Sequence, residues 1–91
     1  MKIKQDLKNY IDNNMRDIAI SHLECWKDRY FGYTKAKLEF DLDVNHDDSL
    51  EIEQAEYELQ RKLKDHEYYY LINKFHKEVV NQYINYSYNF Y

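Results

Sequence analysis

The chain contains no proline and a single glycine, Gly32. Folds with many tight turns need residues that fix φ or tolerate positive φ, and proline and glycine supply most of them. A chain of 91 residues that nearly lacks both is limited to few turns and long elements. Its length sets one domain, residues 1–91. A domain of this size buries only about 60–65 % of its unfolded surface, so large side chains must do the packing. Eleven tyrosines, four phenylalanines and one tryptophan are available for it. The mean hydropathy of −0.97 would suit a disordered chain. Disorder, however, goes with few aromatic and β-branched residues, and this chain is rich in both aromatics and isoleucine.

Hydrophobic periodicity divides the chain into elements. Ile3, Leu7, Ile11, Met15, Ile18, His22 and Cys25/Trp26 recur at steps of three and four, which predicts an amphipathic helix over residues 2 to about 31. Gly32 follows, where a left-handed C-terminal residue is expected. The period then changes. Ala36, Leu38, Phe40, Leu42 and Val44 alternate with Lys35, Lys37, Glu39, Asp41 and Asp43, which predicts a half-buried strand at about 35–44. Residues 45–49, NHDDS, read as a turn, and Asp48 with Glu51 matches a capping box. A second long helix is expected from about residue 49, with a kink or break near Asp65–Tyr70, where its apolar face drifts. A strand over residues 50–59, hairpinned to the first, is the competing reading. In the tail, Ile84, Tyr86, Tyr88 and Phe90 alternate again, so a short C-terminal strand pairing with the first is expected, with a plain helix end as the other reading. A second protomer is the other way to satisfy that strand, which leaves a homodimer open. The expected fold class is therefore α+β.

The charge is more lopsided than the net value of −4 suggests. Residues 1–37 carry a balance of +3, residues 38–60 one of −9, and residues 61–91 one of +2. The central stretch holds Glu39, Asp41, Asp43, Asp47, Asp48, Glu51, Glu53, Glu56 and Glu58, with no lysine or arginine among them. Crowded like charges repel. Such a run is either a solvated face, neutralised in space by lysine or arginine from elsewhere, or a surface kept for something positive.

Two sharper readings compete with the solvated face. Asp43-x-Asn45-x-Asp47-Asp48-x-Leu50-x-x-x-Gln54 resembles an EF-hand calcium loop over residues 43–54. It has Asp48 where that loop needs glycine, Gln54 where it needs a bidentate glutamate, and a predicted strand where it needs a helix. The second reading is a nucleic-acid mimic. On a strand, Glu39, Asp41 and Asp43 would stand about 6.6 Å apart on one face, and an array of carboxylates can occupy a basic groove as phosphates do. In size, acidity and aromatic content the chain resembles small proteins of phages and mobile elements that block restriction or CRISPR enzymes. That resemblance implies a non-catalytic inhibitor, of anti-CRISPR or anti-restriction type, with no bound metal or cofactor.

Other constellations carry less. His22-x-x-Cys25 offers a nitrogen and a sulfur on one helix face, two ligands short of a structural zinc site; a place at the helix interface, with Cys25 buried beside Trp26, is the expectation for both. Asp41 and Asp43 lack the lysine or glycine-rich loop expected beside a nuclease magnesium pair. Tyr68-Tyr69-Tyr70 can stack on bases, but direct nucleic-acid binding calls for a basic footprint. A lone cysteine, an N-terminus without an apolar leader and the lack of a long apolar window point to a cytoplasmic chain that does not meet a membrane. The functional expectation is a protein-binding, inhibitory chain that uses its acidic 39–58 surface on a basic, nucleic-acid-handling partner. A small oligomerising domain with an ordinary acidic face is the alternative.

Overall fold

The computed structural model describes residues 2–85. They form four helices: α1 (Gln5–Tyr30), α2 (Lys35–Asn45), α3 (Ser49–Leu59) and α4 (Asp65–Asn85). The described residues contain no strand, so the α+β expectation is corrected to an all-helical fold. The proposed tail strand at Tyr86, Tyr88 and Phe90 lies outside the described residues, and Ile84 belongs to α4.

The strand expected at 35–44 is helix α2, and the reason lies in the arithmetic of periodicity. A set of residues spaced by two contains a set spaced by four, and four is a helical step. Leu38 and Leu42 are fully buried, while Phe40 and Val44 stand about 60 % exposed. Lys35-Ala36-Lys37-Leu38-Glu39 is also made of good helix formers. Thr34 starts the element, its Oγ1 accepting the Lys37 N–H at 3.2 Å.

The two long helices, α1 and α4, pack along each other and carry most of the core. Leu7, Ile11, Met15, Ala19 and Leu23 form a continuous i+4 ridge on α1. Leu71, Phe75, Val79, Val80 and Tyr83 meet it from α4. Leu38 and Leu42 of α2, Ala55 of α3 and Leu63 of the connection close the remaining sides. The α1 face expected from sequence holds as far as His22, which is buried, and fails at Cys25 and Trp26, because the ridge runs through Ala19 and Leu23 instead. At Trp26 the backbone leaves helical geometry (φ −111°, ψ 15°). Cys25 and Trp26 are exposed rather than buried at the interface. Gly32 has φ +77° and reverses the chain into α2.

The break expected in the second long helix is present and divides it into two helices, but it lies at Gln60–Lys64 rather than Asp65–Tyr70. Residues 50–59 are helical, not a strand. Gln60 takes a left-handed conformation (φ 59°, ψ 36°) that ends α3, with its N–H directed at the carbonyls of Glu56 and Tyr57. Arg61 secures the corner. Its guanidinium donates to both oxygens of Asp6 at 2.9 Å and to both of Glu67 at 3.0 and 2.7 Å. The starts of α1 and α4 are thereby tied to the connection between α3 and α4.

Candidate functional site

Folding residues 35–45 as a helix redistributes the nine acids. Glu39 and Asp43, four apart, share an outer face of α2, while Asp41 turns inward. Asp41 is 7 % exposed. It accepts from Arg29 Nε and Nη2, both at 2.8 Å, and from Asn45 Nδ2 at 2.6 Å. The Arg29 guanidinium, with help from Asn45 and against the cost of burial, holds its carboxyl down at about 2. Asp43 lies 3.1 Å from His76 Nδ1. Asp47 is exposed, and its Oδ1 accepts the Ser49 N–H at 3.0 Å. Asp48 precedes α3 but makes no side-chain cap; its carboxylate lies 3.0 Å from His76 Nε2 instead. Glu51, the other half of the expected capping box, lies 3.1 Å from His46 Nε2. Glu56 accepts the Leu63 N–H at 2.8 Å. Glu39, Glu53 and Glu58 are exposed and carry no ion pair among the described residues.

The acids therefore fall into two groups. Asp41, Asp48, Glu51 and Glu56 are bound up in the fold, and Glu39, Asp43, Asp47, Glu53 and Glu58 face solvent. Neither group makes an unbroken anionic sheet. Lys35 and Lys77 line the same groove as Glu39 and Asp43, and Arg61 and Lys62 border the hollow that holds Glu53 and Glu56. The evenly spaced triad of Glu39, Asp41 and Asp43 does not form. The EF-hand-like loop fails for a related reason. Only His46, Asp47 and Asp48 separate α2 from α3, and the remaining oxygens of residues 43–54 are fixed on two rigid helices. A twelve-residue wrap around calcium has no chain to make it.

Sequence spacing gave no warning of a second constellation. His22 of α1, His46 at the end of α2 and Glu51 of α3 meet at the inner wall of a cleft of about 490 Å³, whose rim includes Ser21, Cys25, Trp26 and Leu50. One ligand atom from each of His22, His46 and Glu51 falls within 4.8 Å of the others. The His22 and His46 rings meet edge-on with centroids 4.8 Å apart, and both contact Phe75. His22 Nε2 lies 2.7 Å from the Tyr30 hydroxyl. Burial, with the neighbouring His46 imidazole, pushes His22 down to about 4, so at neutral pH this ring is uncharged. The hydrogen bond to Glu51 pushes His46 the other way, upward, against the effect of burial. Tyr30 is pushed up to about 12, chiefly by burial. The sequence placed His22 at a helix interface, where it is, but separations of 24 and 29 residues from His46 and Glu51 hide the cluster.

No protein-family model matches the chain, and neither the curated proteins nor the solved structures contain a match to it. No described helix is long and apolar enough to cross a membrane.

Proposed function

We propose that the chain is a non-catalytic protein-binding module whose α2–α3 arm docks on a basic surface of a partner protein. The observation that carries this reading is the joint exposure of apolar anchors and solvent-facing carboxylates on that arm. Phe40, Val44, Leu50 and Tyr57 are 60–74 % exposed. On α2, Phe40 and Val44 continue a stripe begun by exposed Ala36, and Glu39 and Asp43 run alongside it. On α3, Leu50 and Tyr57 are flanked by Glu53 and Glu58. Aromatic and aliphatic side chains supply binding energy when a partner covers them. The surrounding acids select a partner of opposite charge and speed encounter.

A nucleic-acid-handling enzyme is the sharpest form of such a partner, and its inhibition the expected consequence. The surface that supports it is smaller than the nine-acid array, since Asp41, Asp48, Glu51 and Glu56 are engaged internally. It mixes apolar anchors with acids, as a protein partner requires and pure phosphate mimicry does not.

Tagged chain expressed in its host and recovered with a partner tests this. The partner should be basic, should dissociate at high salt, and should be displaced by duplex DNA. Recovery should fail with Phe40→Ser/Tyr57→Ser and weaken at least tenfold with Glu39→Gln/Asp43→Asn/Glu53→Gln, both variants remaining folded. A partner indifferent to both sets rules the surface out. Sedimentation showing a stable dimer through the same face would assign it to self-association instead.

A further inference from the structure

Glu51 has one oxygen too many for its surroundings. Its side chain is 11 % exposed. Oε1 lies against His46 Nε2, but Oε2 is buried with no hydrogen-bond partner. A buried carboxylate oxygen left unpaired is costly, and native proteins seldom keep one without an ion or a water to satisfy it. Beside it stand two imidazoles from two other elements of the fold, His22 and His46, facing the same cleft.

We propose that His22, His46 and Glu51 form a binding site for a divalent transition-metal ion of the zinc class. Two imidazoles and a carboxylate suit first-row transition ions, whereas calcium and magnesium take shells of oxygen. Two histidines and a glutamate are also one of the three-ligand sets that hold zinc with a fourth position open. Around zinc, tetrahedral nitrogen and oxygen ligands stand about 3.3 Å apart. His46 Nε2 and Glu51 Oε1 are already 3.1 Å apart, and the whole set lies within 4.8 Å. Closure asks the widest pair to approach by no more than about 1.5 Å.

The surroundings suit the task. The Tyr30 hydroxyl engages His22 Nε2, a contact that orients the ring. Asp48 stands 3.6 Å from His46 Nε2 and is itself held by His76, which Asp43 engages on its other nitrogen. The cleft past Ser21, Cys25 and Trp26 gives an ion an entry path and gives water room to complete its shell.

The purified chain, stripped with chelator and titrated calorimetrically with zinc chloride, should bind one equivalent and melt at a higher temperature. Cobalt chloride should give the intense visible absorption of a tetrahedral or five-coordinate site with nitrogen and oxygen ligands. Calcium and magnesium chloride should do neither. Glu51→Gln and His46→Asn should each weaken zinc binding at least tenfold, and His66→Asn, on a residue outside the cluster, should not. Absence of saturable zinc and cobalt binding to the unmodified chain overturns the site, and that result does not depend on how any variant folds. Binding of unchanged affinity in folded Glu51→Gln and His46→Asn overturns it equally.

Discussion

Glu67 is a carboxylate with 1 % of its surface exposed, and its stability rests on two neighbours. Arg61 meets both of its oxygens, and the Lys64 N–H donates to Oε1 at 2.9 Å. These contacts, the guanidinium foremost, bring its pKa from an ordinary 4.5 to about 2 in spite of burial. A carboxyl whose folded pKa lies below its unfolded value binds its proton more readily when the chain is unfolded. Its contribution is therefore complete above about pH 4.5 and drains away as the pH falls towards 2. Glu67→Gln keeps the shape and removes the charge, so it should cost about 2–3 kcal/mol near neutral pH. The difference in stability between the two proteins should shrink steadily below about pH 4.5. Urea unfolding of both across that range checks it. A difference independent of pH would mean that the guanidinium contacts contribute nothing through charge. Asp6, on the same guanidinium, is lowered in the same direction, so some acid sensitivity survives in the variant.

At the scale of the element, the end of α1 shows how the helices are joined. The last carbonyls of a helix lack partners within it. Tyr83 of α4 reaches across, its hydroxyl 2.9 Å from the Tyr30 carbonyl and 2.8 Å from that of Tyr33, one proton shared between two acceptors. Tyr83→Phe keeps the buried ring and should cost about 1–2 kcal/mol; thermal melts compared with a Tyr69→Phe control, at a ring 78 % exposed, would register it. If both substitutions prove equally mild, the bond across to α4 is not what fastens the α1–α2 turn. Such contacts mark the boundary of what sequence could reveal. α1 was legible because apolar residues recur at helical steps along most of its length and Gly32 closes it. α2 was misread because Leu38, Phe40, Leu42 and Val44 satisfy a period of two, and only the partners of Leu38 and Leu42 decide for four. The α3–α4 break was misplaced because Gln60, with no glycine to announce it, takes the left-handed turn. The acids were legible as a run but not as a surface, since Arg29 and His76, which engage Asp41, Asp43 and Asp48, lie 12 to 33 residues away. His22, His46 and Glu51 follow no spacing rule, because α1, the α2–α3 connection and α3 supply one each.

Taken whole, the molecule separates apolar residues that hold it together from apolar residues that do not. Phe75 is fully buried at the centre, in contact with His22 and His46, while Phe40 and Tyr57 stand 64 % and 74 % exposed on the α2–α3 arm. A chain with only 91 residues to build a core with gains little from aromatics left in water, so their stability cost on removal is a direct reading of their purpose. Phe75→Ala opens a cavity and should cost about 3–5 kcal/mol, lowering the melting temperature by roughly 15 °C or more in a domain of this size. Phe40→Ser and Tyr57→Ser exchange residues of similar helix propensity at sites with little to lose, and each should stay within about 0.5 kcal/mol of the parent. Differential scanning calorimetry of the three variants separates the cases. Should Phe40→Ser destabilise the isolated chain by 2 kcal/mol or more, roughly what full burial of such a side chain contributes, the ring already packs within the fold. The stripe beside Glu39 and Asp43 would then no longer be available to a partner. A neutral result leaves both rings free, on an arm whose outward carboxylates can only strengthen its hold on a positively charged surface.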